Sequence, residues 1–103
     1  MNRVIRRIRF FWQRLARGWD DSDTWNLDQT LACWIVPRLK VLRRDSSGYP
    51  LQLTERKWDV ILYKIIRAFE IVRDEEWGVP EHYKATVDEG LDLFRKHFFD
   101  LWD

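Results

Sequence analysis

Apolar residues recur along most of the chain with the three- and four-residue spacing of one face of an α-helix. Four such stripes predict helices over residues 2–16, 24–44, 54–73 and 80–101. Gly and Pro punctuate the segments between them, and no stretch shows the alternation of a half-buried strand. Because 103 residues suffice for one domain, we predict that 1–103 form a single all-α bundle of about four helices.

The second predicted helix has more recognisable sequence signals than the other three. Ser22 or Asp23 is expected to cap a helix that begins near Thr24, since acids favour a helix N-terminus. The acidic turn before this helix and its first residues hold four acids that could also be oxygen ligands for a hard cation: Asp20, Asp21, Asp23 and Asp28. The spacing of a calcium loop is absent, so capping is favoured. Pro37 lies inside the stripe and predicts a kink or a break, because proline lacks the N–H that the helix needs.

The N-terminal helix carries an unusual charge distribution. Its apolar stripe consists of Val4, Ile5, Ile8, Phe11, Trp12 and Leu15. Six arginines and no acid lie within residues 1–18, whereas the remainder holds 12 basic and 17 acidic residues. We expect the stripe to dock on the core while the arginines pair with acids. Contact with an anionic lipid surface or with phosphate groups is the alternative.

The seven tryptophans exceed what a small bundle needs. Trp12, Trp34 and Trp58 fall on apolar stripes and are predicted to lie in the core. The other four, at helix ends and in linkers, either staple these ends to the body or form an exposed patch; they are Trp19, Trp25, Trp77 and Trp102.

Signals for catalysis are nearly absent from the sequence. His82 and His97 are about 22 Å apart along one predicted helix, so they cannot share a metal ion within one chain. The glycines are isolated, and Cys33 is the single cysteine, which favours a reducing compartment. We therefore predict a protein that is not an enzyme and binds no metal or cofactor. No window approaches the roughly 20 apolar residues of a spanning helix, and no signal-peptide pattern is present, which predicts a cytosolic protein.

Three short motifs carry a resemblance to known sequences. They are W-N-L-D at Trp25–Asp28, V-P-R-L-K at Val36–Lys40 and E-G-L-D-L-F at Glu89–Phe94. With them, the chain from about Ile8 to Asp103 resembles a family of small proteins of tailed bacteriophages and prophages. The family has no established activity, so the resemblance implies a bacterial host and assigns no functional residues. It also disfavours a membrane partner, because the basic helix and the acidic turn belong to one domain.

These observations predict a protein that acts by binding. The expected partner is a host or phage protein, and inhibition of a host antiviral defence is one use. The expected contact residues are Arg6, Arg9, Trp19, Trp25, Trp77 and Trp102, because Trp and Arg are enriched at binding hot spots. The alternative is a nucleic acid or a nucleotide second messenger, bound through the Arg-rich helix. A symmetric dimer is left open.

Overall fold

The computed structural model describes residues 2–102 and is all-α, as the sequence predicts. Its four helices are α1 (Arg3–Arg17), α2 (Leu27–Asp45), α3 (Glu55–Asp74) and α4 (Lys84–Lys96). Short 3₁₀ turns lie at Asp21–Thr24, Glu81–Tyr83 and Phe98–Asp100, and residues 2–102 contain no strand.

The core lies on both sides of α3, which packs against α2 on one side and α4 on the other. Ala32, Val36 and Leu39 of α2 meet the buried side chains of Ile65, Ile66 and Phe69. The ring of Phe94 closes the α4 side, edge-on to Phe69 with 5.1 Å between the ring centroids. The central helix is therefore the one that carries most of the buried apolar surface.

A glycine on α4 sets the distance between α3 and α4. A Cβ added at Gly90 would lie 2.6 Å from the carbonyl oxygen of Lys64 and would also clash with the Cβ of Ala68. Helices α3 and α4 therefore approach each other closely at this point, and only glycine fits there.

The start of α2 differs from the prediction. The chain first forms the 3₁₀ turn, and α2 begins at Leu27 after Asn26, whose side chain makes no capping bond. The cap of the turn is Asp20, which accepts a hydrogen bond from the Ser22 backbone N–H. The acidic turn therefore caps itself and not α2, and the carboxylates of Asp20 and Asp21 bond to Ser22 and to side chains of α1. By contrast, the side chain of Thr54 caps α3, accepting from the N–H of Lys57 at 3.2 Å.

Pro37 does not break α2, which runs as one helix from Leu27 to Asp45 with the proline inside it. The guanidinium of the next residue, Arg38, donates to the carbonyl oxygen of Trp34 at 2.7 Å. The carbonyl oxygen of Trp34 thus accepts a bond from a side chain in the turn where Pro37 has no backbone N–H to donate.

The fourth helix is shorter than the predicted range 80–101. It starts at Lys84 after a 3₁₀ turn and ends at Lys96. At the C-terminal end, the imidazole Nδ1 of His97 lies 3.0 Å from a carboxylate oxygen of Asp100. The His97 ring also packs edge-on to Trp58, with 5.4 Å between the centroids. These two contacts hold a tight turn where the apolar spacing alone predicts more helix.

Candidate binding surfaces

The helix α1 is joined to the body through its charged face. Asp21 accepts hydrogen bonds from the side-chain amide of Gln13 at 2.8 Å and from the guanidinium of Arg17 at 2.6 Å. Arg9 forms a third contact with the same carboxylate at 3.3 Å. In return, the Gln13 side-chain oxygen accepts from the Asp21 backbone N–H at 2.8 Å. The pairing of arginines with the acidic turn is therefore present as predicted.

The neighbouring carboxylate, Asp20, is the most buried acid of this junction. It accepts hydrogen bonds from the Ser22 hydroxyl and from the guanidinium of Arg14. The Ser22 bond, opposed by burial and aided by Arg14, holds the pKa of Asp20 below its ordinary value of 3.8. Bonds from Gln13 and Arg17 lower the pKa of Asp21 in the same way. Both groups thus stay anionic and fix the orientation of α1.

This junction leaves the apolar face of α1 without a partner among residues 2–102. We use the name α1 apolar face for the six side chains Val4, Ile5, Ile8, Phe11, Trp12 and Leu15, which are between 51% and 63% exposed. At about 100° per residue, Ile8 at the centre of this face lies opposite Arg17, which binds the acidic turn. Helix α1 has no buried residue.

The prediction that the α1 stripe docks on the core is therefore wrong, and so is the placement of Trp12 in the core. The physical reason is the junction itself. Hydrogen bonds from Gln13, Arg14 and Arg17 to two carboxylates set the rotation of the helix, and this rotation turns the stripe away from the body.

A second uncovered stripe runs along α2. We use the name α2 outer stripe for Leu27, Leu31, Trp34 and Val41, all exposed and all on the side of the helix away from Val36 in the core. The prediction that Trp34 lies in the core is wrong, because the core face of α2 is taken by smaller side chains. The Arg38 guanidinium covers Trp34 instead, 4.1 Å from the ring centroid.

Three of the predicted contact residues come together at the junction of α1 with the turn. Arg6, Arg9 and Trp25 line one shallow cleft with Phe10 and Asp21. Arg6 lies 5.1 Å from the Trp25 ring centroid, and the Phe10 ring meets Trp25 edge-on at 5.7 Å. The cleft combines a cationic rim with an aromatic wall.

The other three predicted contact residues are exposed but separate. Arg17 lies 3.6 Å from the ring centroid of Trp19. Trp77 is 97% exposed in the loop between α3 and α4. Trp102 lies beyond the other end of α4, where it lines a cleft with Tyr49 and Trp58, the one predicted core tryptophan that is buried. Because Trp77 and Trp102 flank a helix about 20 Å long, the four tryptophans at helix ends and in linkers do not form one patch.

The sequence pattern alone does not identify the α2 outer stripe as a surface. The available signal was the width of the α2 pattern, which carries apolar residues on more than one side of the helix. A one-sided stripe predicts one buried face. A two-sided pattern fits either a helix buried twice or a helix with an uncovered face, and the sequence does not choose between them.

Metal chemistry finds no support in the described part of the chain. No three His, Cys, Asp or Glu side chains within residues 2–102 are grouped so that they could hold a metal ion. The two histidines have separate surroundings: His82 lies beside Tyr83, with 4.2 Å between ring centroids, and His97 lies against Trp58. Among the helices of residues 2–102, none combines the length and the apolar character that crossing a bilayer requires.

No family model, curated protein or solved structure matches the chain. The resemblance to small bacteriophage proteins therefore stays a prediction, and the functional argument rests on the surfaces described above.

Proposed function

We propose that the protein acts by binding another protein, and that the α2 outer stripe is the contact surface. The observation that carries this proposal is the exposure of four apolar side chains along a helix whose opposite face is fixed in the core. Their spacing places them in one row, as in helices that lay an apolar face into a groove of a partner.

The side chains of the α2 outer stripe are held in place before a partner binds. Val36 and Leu39 anchor α2 in the core, so the outer side chains are presented by a rigid element. The stacking of Arg38 on Trp34 restricts both long side chains before a partner arrives. Trp and Arg together are the residue types that contribute most to protein interfaces when they are buried on binding.

The bacteriophage resemblance directs the search for the partner to the bacterial cytosol. A host protein or another phage protein is the proposed class of partner, and a component of host antiviral defence is the first target to examine. Trp25 precedes the stripe by two residues and is also exposed, so it is a proposed edge of the contact. Trp19, Trp77 and Trp102 remain predicted contact residues.

The test compares two matched double variants that remove the same residue types at the same spacing. Leu31→Ser with Trp34→Ser alters the α2 outer stripe, and Trp12→Ser with Leu15→Ser alters the α1 apolar face. The immobilised protein is incubated with lysate of uninfected and of phage-infected bacteria, and each candidate partner is then purified and titrated. We expect a stoichiometric complex whose affinity falls about 100-fold in the α2 variant and stays unchanged in the α1 variant.

Two results count against this proposal. One is the absence of any partner in both lysates. The other is a partner that binds the α2 variant as tightly as the unaltered protein, because the stripe would then lie outside the interface.

A nucleic acid is the second candidate, favoured by the cleft in which Arg6 lies over Trp25. Single strands bind where a basic groove borders an aromatic ring on which bases stack. Three of the six arginines of α1 are, however, engaged by Asp20 and Asp21, which lowers the charge available for phosphates. Titration of a fluorescent single strand at low salt tests the idea. Binding that is absent, or that is unchanged by Arg6→Glu, excludes it.

A further inference from the structure

The α1 apolar face is bordered by arginines, and binding to an apolar groove of a protein does not require such a basic border. We infer that α1 binds the surface of an anionic lipid bilayer, lying flat with Ile8, Trp12 and their neighbours in the headgroup region. This role is separate from the proposed protein contact, because it uses a different face of a different helix.

Charge is distributed around α1 as in helices that lie on an anionic surface. The apolar face covers an arc of about 120°, with Arg7 at one border and Arg9, which also contacts Asp21 at 3.3 Å, at the other. Residues 3–17 contain no acid. Basic side chains at the borders of an apolar face lie at the depth of lipid phosphates when the face enters the bilayer surface. Trp and Phe within the face are typical of such interfacial helices.

The α1 apolar face is directed away from the body of the protein. Because Gln13 and Arg17 hold α1 to the acidic turn, the body lies on the side opposite the apolar face. The helix can therefore lie on a flat surface with the body directed toward water. The acidic body is then separated from the lipid by the thickness of α1, about 10 Å, which is close to the Debye length at physiological salt.

Two arginines of α1 carry charges that are available to an external partner. Arg3 and Arg7 form no ion pair with any carboxylate within residues 2–102, unlike Arg14 and Arg17. They are therefore available for lipid phosphates at the end of α1 that is farthest from the acidic turn. At about 22 Å, the 15-residue helix has the length of an interfacial segment and not that of a spanning one.

A second copy of the chain is a poorer occupant of this face. Pairing α1 with α1 would bring two sets of Arg borders together with no acid on either helix. Like charges at such close positions destabilise a helix pair. The negative phosphate surface of the bilayer supplies the complementary charge that a second α1 lacks.

The conclusion about lipid differs from the sequence prediction for a physical reason. The sequence disfavours a membrane partner because the basic helix is joined to the acidic turn. The structure has this junction, but the junction leaves the apolar face outward. The side chains that it occupies are Arg9, Gln13, Arg14 and Arg17.

The test is flotation of the full chain with vesicles of equal parts phosphatidylcholine and phosphatidylglycerol, and with vesicles of phosphatidylcholine alone. We expect the protein to float with the anionic vesicles, to remain in solution with the neutral ones, and to dissociate as salt increases. The Trp12→Ser, Leu15→Ser variant should lose about 100-fold in affinity. The Leu31→Ser, Trp34→Ser variant removes the same residue types from another exposed surface and should float normally.

A charge variant gives an independent readout. Arg3→Gln with Arg7→Gln leaves the apolar face and the junction intact, so the fold is kept and the salt dependence should become shallower. Circular dichroism and solution mass are measured for every variant. The inference is overturned if the unaltered protein does not float, if it floats equally with neutral vesicles, or if the α1 variant floats normally. It is also overturned if the α1 face proves to be the interface of a dimer.

Discussion

Two leucines on different helices test whether the α1 apolar face belongs to the folded core. Leu15 on α1 is 63% exposed, whereas Leu62 on α3 is 1% exposed. Each is replaced by Ala, so the chemical change and the helical context are the same. Any difference in the free energy of unfolding then reports on burial.

The expected magnitudes differ several-fold. Leu62→Ala removes a fully buried side chain and leaves a cavity, which costs about 2–5 kcal/mol. Leu15→Ala removes a side chain that is mostly in water, and its effect is expected to stay within about 0.5 kcal/mol. For a small domain whose total stability is roughly 5–15 kcal/mol, the first change is large and the second is barely measurable.

The assay is urea unfolding followed by circular dichroism, at two protein concentrations that differ by an order of magnitude. With a slope of about 1–3 kcal/mol per molar urea, Leu62→Ala should lower the midpoint by roughly 1 M or more, and Leu15→Ala should leave it unchanged. Equal losses in the two variants, independent of concentration, would refute the described placement of α1. A loss for Leu15→Ala that appears only at high concentration would show self-association through this face.

Three further results are expected. Gly90→Ala should destabilise the protein by about 1–3 kcal/mol in urea unfolding, because the added Cβ meets the backbone of α3, and this outweighs the better helix propensity of Ala. The control is Gly48→Ala, whose added Cβ meets no atom within 4 Å, so this variant should be nearly neutral. Asp20 has a lowered pKa, so its contribution to stability is present above pH 3.8 and is lost as the pH falls through the lower folded-state value. When the thermal unfolding temperature is measured against pH, Asp20→Asn should therefore make the loss of stability at acid pH shallower. The exposed pair of Arg43 and Asp59, with bonds of 2.8 and 3.0 Å, should show a coupling below about 1 kcal/mol in a double-mutant cycle, and a much larger value would mean that the pair is shielded from water.

The sequence predicts the helices well because each one carries a strong periodic signal. The bounds of α1 and α3 agree with the stripes to within one residue, and Thr54 is recognisable as a cap from its position alone. The close approach at Gly90 is also readable, since glycine within an apolar stripe has few other reasons to be there. The end of α4 is not readable, because it depends on contacts of His97 with a distant tryptophan and with Asp100.

The surfaces are harder to predict than the helices for one physical reason. A stripe shows which side chains avoid water together, but it does not show what covers them. In α3 the stripe is covered by neighbouring helices, whereas in α1 an equally regular stripe is left outward by hydrogen bonds from Gln13 and Arg17. Equally regular stripes thus have opposite fates, and the burial of the aromatic residues follows the rotation of their helices: Trp58 is buried, while Trp12 and Trp34 are exposed.

The exposure of α1 can be measured directly by the reaction of engineered thiols in the free protein. Cys33 is exposed and is first replaced by Ser, after which Ile8→Cys and Ile65→Cys are made separately. Ile8 is 51% exposed and Ile65 is 0% exposed. With the protein monomeric, the thiol at position 8 should react with a water-soluble maleimide at nearly the rate of an unstructured peptide. The thiol at position 65 should react orders of magnitude more slowly, because it must wait for opening of the core. A thiol at position 8 that is protected like the one at position 65 would contradict the account.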